Sequence, residues 1–91
     1  MEQAPRMISF DTAVVADRMK LLETTKPIAW RTYMVRLAAQ EPAVMIDFMK
    51  PVSETDLLEL NRMFDIDAAI FFTVSDEEIQ NNPEIFLRPE V

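Results

Sequence analysis

No glycine occurs anywhere in this 91-residue chain, whereas average usage of ~7% would place about six. Glycine is the usual occupant of positive-φ backbone, so its absence disfavours tight primed hairpins and the commonest helix-ending residue. Proline and asparagine are left to end the elements. The expected fold class is all-α: a compact bundle of about four to five short helices with an extended C-terminal tail. The same absence removes the glycine-rich loops that cradle phosphates in dinucleotide and nucleoside-triphosphate sites.

The stretch 27–40, PIAWRTYMVRLAAQ, carries the single tryptophan and the single tyrosine. On a helix, Trp30, Tyr33, Met34 and Leu37 make one apolar stripe and Ile28, Val35 and Ala39 a second. Thr32, Arg36 and Gln40 form a narrow polar strip. So wide an apolar arc predicts the central, most buried helix, with Trp30 and Tyr33 as core aromatics rather than a ligand platform. Thr25 offers a cap, Pro27 suits the first turn, and Pro42 discourages helix at Glu41.

The remaining segments read in order as a single helical domain over 1–91. Residues 1–8 look like a loose arm. Ser9 or Asp11 then caps a helix through TAVVADRMKLLETT, where Arg18 sits inside the apolar face and must reach solvent or a carboxylate. PAVMIDFMK reads as a short buried helix, because four consecutive apolar residues break the alternation of a strand. Within it Asp47 is expected to be exposed, or paired with Arg31 or Arg36, rather than a buried general acid. Ser53 to Asp56 is a near capping box for a helix with Leu57, Leu60, Met63 and Phe64 on one face, and Asn61 lies in that stripe either as a polar registration contact or as the mark of its edge. DIDAAIFFTV is preferred as a helix capped by Asp65 or Asp67. The alternative is a small α+β fold with strands near 69–74 and 84–88. Ser75 with Glu78 starts a short helix that Asn81-Asn82-Pro83 stops. Residues 83–91 place Ile85, Phe86 and Leu87 between two prolines, which reads as an extended tail, either a strap on its own domain or a motif docking on a partner.

Function is approached by exclusion. The chain has neither histidine nor cysteine, which removes imidazole bases, the usual triads and thiolate metal sites. Asp65-x-Asp67 and Asp76-Glu77-Glu78 lack the spaced acids and glycine of a calcium loop. No catalytic, cofactor-binding or metal-ligating residue is assigned, and the expectation is a protein that is not an enzyme. The formal charge of −7 is uneven: residues 1–52 hold seven Lys/Arg and six Asp/Glu, residues 53–91 two and ten. Such a field repels phosphates and anionic lipid, so neither nucleic acid nor membrane is an expected direct partner. No apolar run approaches a membrane span and no signal-peptide pattern follows Met1, so a cytoplasmic location is expected.

An apolar content of 49% and seven methionines exceed what so small a core requires. The expected function is therefore a small acidic protein-binding module, an adaptor, assembly factor or inhibitor, engaging a protein partner or forming a homo-oligomer. The alternative is an acidic nucleic-acid mimic that inhibits a basic nucleic-acid-binding protein. Candidate partner-binding residues are Ile85, Phe86, Leu87 and Arg88 in the tail, with Asp76, Glu77 and Glu78 at the preceding helix start.

Overall fold

The computed structural model describes residues 4–90, and the fold over them is mostly helical. Strand β1 (Met7–Ile8) pairs antiparallel with β2 (Val52–Ser53), with Met7 opposite Ser53 and Ile8 opposite Val52. A further rung runs from the Glu54 N–H to the Arg6 carbonyl at 2.8 Å. The expected loose arm is thus tied down where it can be seen: Ile8 is buried in the core, while the arm's first three residues lie outside the described residues.

Helix α1 (Thr12–Thr25) starts at Asp11, whose side chain accepts from the Ala13 N–H at 2.9 Å. Lys26 alone separates it from α2 (Pro27–Ala38), with proline in the first turn. Thr25 does not cap α2 as the sequence suggests. It belongs to α1, and its hydroxyl donates to the Leu21 carbonyl at 2.7 Å. After α2 a single 3₁₀ turn (Pro42–Val44) leads into irregular chain, so the helix expected over 42–50 does not form. Ile46 and Phe48 turn inward while Met45, Asp47 and Met49 face solvent. That alternation is the pattern the four-residue apolar run concealed.

Helices α3 (Leu58–Phe64), α4 (Ala68–Phe71), α5 (Asp76–Asn81) and α6 (Pro83–Phe86) complete the chain. Ser53 Oγ accepts from the Asp56 N–H at 3.1 Å, and a run of turns precedes α3 rather than a helix starting there. The strand alternative fails because Asp67 caps α4 and Asn61 Oδ1 accepts from the Ala68 N–H at 2.7 Å. The β-forming run Ile70-Phe71-Phe72 is thereby held helical, and the other proposed strand becomes α6. The tail over 83–91 is accordingly not extended throughout: Pro83 opens a helical turn instead of blocking one.

The missing glycines are replaced at two helix ends. Gln40 (φ 59) and Asp65 (φ 53) hold left-handed backbone. At the first, the Gln40 N–H reaches the Leu37 carbonyl at 3.0 Å and the Glu41 N–H the Arg36 carbonyl at 3.2 Å, closing the helix in the paired pattern that glycine usually serves. At the second, the Asp65 and Ile66 N–H groups both donate to the Asn61 carbonyl. Neither proline nor asparagine takes these positions.

The centre of the core is not α2. Leu57, Leu60, Phe64, Ala68, Phe71 and Phe72 are buried there, all from the α3–α4 region, and α2 contributes only Tyr33. Trp30, Tyr33 and Leu37 of the first stripe face inward, but its Met34 is exposed, and Ile28 and Val35 of the second are 67% and 65% exposed. A wide apolar arc sets how much a helix could bury. The neighbours available set how much it does, and α1, α3 and the 3₁₀ turn leave Ile28 and Val35 of α2 uncovered. Edge-to-face contacts of Phe72 with Phe10 and Phe48 at 6.1 and 5.3 Å draw the irregular segment onto α4.

Candidate functional site

The tail residues divide by direction. Phe86 and Leu87 are half-buried against the core, with the Phe86 ring 6.4 Å from that of Phe71. Arg88 Nη2 meets Asp65 Oδ2 at 2.8 Å, and the Arg88 carbonyl accepts from the buried Lys26 Nζ at 3.1 Å. The Glu90 carboxylate accepts from the Ile28 and Ala29 N–H groups at 2.9 and 2.8 Å, and its own N–H donates to the Thr25 carbonyl at 3.3 Å. It supplies the helix cap that the junction at Lys26 has no room to provide. The tail is a strap across its own domain. Of the three large apolar side chains in the tail, Ile85 is the one that points away, at 64% exposed.

Asp76, Glu77 and Glu78 form the first turn of α5, where Ser75 Oγ accepts from the Glu78 N–H at 3.2 Å. Asp76 is joined to Arg18, and both line a shallow hollow with Leu87. Glu77 and Glu78 are exposed and form no ion pair among the described residues. The structure thus brings Leu87 and Asp76 to one hollow and sends Ile85 and Arg88 to another.

That second hollow is largely polar, with Ile66 and Ile85 as its apolar side chains. Asn61, Asp65, Ile66, Asp67, Glu84, Ile85 and Arg88 line it. A neighbouring hollow is formed by Arg6, Glu54, Thr55, Leu58 and the same Asn61 and Asp67. Each has a volume of about 350 Å³. They share Asn61 and Asp67 and so adjoin across α3, the turn over 65–67 and α6. Leu58, 53% exposed, rims one end and Ile85 the other. Apart from Ile85 and Arg88, sequence reading missed this face. Its signal was Leu58, which falls outside the Leu57, Leu60 and Phe64 stripe and so could not share their burial.

Elsewhere Arg36 bridges α2 to its neighbours, Nε to Glu41 Oε2 at 3.0 Å and Nη1 to Glu59 Oε1 at 2.7 Å. These hydrogen bonds hold the guanidinium above its ordinary value, and the one from Arg36 holds Glu59 below the usual carboxylate range. Asp47 is exposed, accepts from the Met49 N–H at 2.9 Å and lies 3.8 Å from Lys50. Among the described residues no three acidic side chains converge to hold a metal ion, and no helix is long and apolar enough to cross a membrane. Comparison with protein-family models, with curated proteins and with solved structures finds no match for the chain.

Proposed function

We propose that this chain works by binding another protein, as an adaptor, assembly factor or inhibitor, and not by catalytic turnover. The observation that carries this is the pair of adjoining hollows over α3, the 65–67 turn and α6, where Leu58 lines one and Ile85 the other and both are exposed. Large aliphatic side chains held wet by helical backbone gain free energy when a partner covers them, at roughly 25 cal/mol per Å². Of the sequence-derived candidates, Ile85 serves this face directly. Phe86 and Leu87 serve it by fixing α6 to the core, and Arg88 by holding Asp65 at its rim.

The test compares proteins retained from native lysate by the wild-type chain and by two double variants. Leu58→Ser with Ile85→Ser is expected to abolish retention of a partner that Ile28→Ser with Val35→Ser still holds, all three chains having the same circular dichroism. Retention lost through the α2 pair and kept by the first pair would overturn the assignment of the face.

A further inference from the structure

Standing on the docking role proposed above, we propose that the occupant of the joined hollows is a basic amphipathic segment of another protein. Its apolar side chains would rest on Leu58, Ile66 and Ile85, and its lysine or arginine side chains would face Glu54, Asp67 and Glu84. Charge complementarity selects this occupant. Two cationic side chains line the face, Arg6 and Arg88. Arg88 is already matched by Asp65 at 2.8 Å, so Arg6 alone stands against three further carboxylates.

Glu54 and Glu84 form no ion pair among the described residues, and Asp67 uses Oδ1 to accept from the Ile70 N–H at 3.3 Å. Carboxylates set beside apolar surface steer and retain cations better than the same groups in open water, because the low-dielectric floor weakens screening. An acidic segment would meet four carboxylates, Glu54, Asp65, Asp67 and Glu84, against the two cations Arg6 and Arg88, a net repulsion.

The probes are a synthetic Leu/Lys amphipathic peptide and its Leu/Glu counterpart, titrated into the full chain while backbone amide chemical shifts are followed. The Leu/Lys peptide is expected to move amides within 54–67 and 84–88. Binding should weaken about tenfold in the double variant Glu54→Gln with Glu84→Gln, the summed effect of two part-screened ion pairs. The Leu/Glu peptide should leave the shifts in place. Asp67 is kept intact because it caps α4. Equal binding of both peptides, or shifts centred on 28–35, would overturn the proposal. If lysate retention depends on Leu58 and Ile85 while the Leu/Lys peptide shows no preference, the basic class is wrong and the docking role stands. If no retention depends on those two residues, the docking role itself fails.

Discussion

Arg18 Nη1 lies 2.7 Å from Asp76 Oδ1, while the same guanidinium donates from Nε to the Phe71 carbonyl at 3.2 Å and from Nη2 to the Val74 carbonyl at 2.9 Å. One side chain ties α1 to the connection between α4 and α5. Arg18 is 2% exposed, whereas the Asp76 side chain is 75% exposed. The carboxylate is therefore the wet end of the contact and the two carbonyls its buried end. Arg18→Met leaves those carbonyls without a donor and is expected to lower stability by about 3 kcal/mol. Asp76→Asn should cost no more than about 1 kcal/mol, as for a solvent-screened pair. Urea denaturation of both variants checks the order, and equal losses would contradict it.

Glu90 caps α2 from the far end of the chain, accepting from the N–H of Ile28, 62 residues earlier. Glu90→Ala is expected to lower stability by about 1 kcal/mol, the usual worth of a cap assisted by the helix dipole. Amide exchange locates the effect: the Ile28 and Ala29 N–H groups should exchange faster, and those of α5 should not.

Gln40 occupies left-handed backbone at φ 59, and among the described residues no hydrogen bond of its side chain offsets this. Gln40→Gly should raise stability by about 0.5 to 1 kcal/mol, since the strain of a Cβ in that region exceeds the extra freedom glycine gains when unfolded. A denaturation midpoint below that of wild type would contradict this.

Glu59 is held below its ordinary value chiefly by the hydrogen bond from Arg36. A carboxylate depressed in the folded state binds protons more readily when unfolded, so its stabilising effect is full above the unfolded value. That effect is lost as the pH falls through the folded one. Wild type should be more stable than Glu59→Gln at neutral pH. Denaturation curves repeated below the carboxylate range should show the gap closing.

What the sequence disclosed was mostly local. Asp11, Asp67 and Ser75 each cap a helix within three residues of themselves, so their roles follow from neighbours in the chain. Asn61 fixes the α3–α4 turn with its carbonyl and its side chain, again over a short span, which is why 68–72 could be read as helix against its β-forming composition. Non-local partners were hidden. Nothing near Lys26 announces that Glu90 returns to cap α2, and nothing near Met7 announces its pairing with Ser53. The width of the apolar arc on α2 could not reveal that its outer stripe has no neighbour. The face of adjoining hollows was half visible, with Ile85 singled out by its place between prolines, while Glu54, Asp67 and Glu84 look unrelated until the turn after β2, the 65–67 turn and α6 are packed around α3.

Hydrogen exchange of the chain alone and with the partner it retains probes the docking face most directly. Slowed exchange confined to 54–67 and 84–88, with α2 amides unchanged, is the predicted result. Protection centred on 28–38, or spread evenly over the chain, would contradict it.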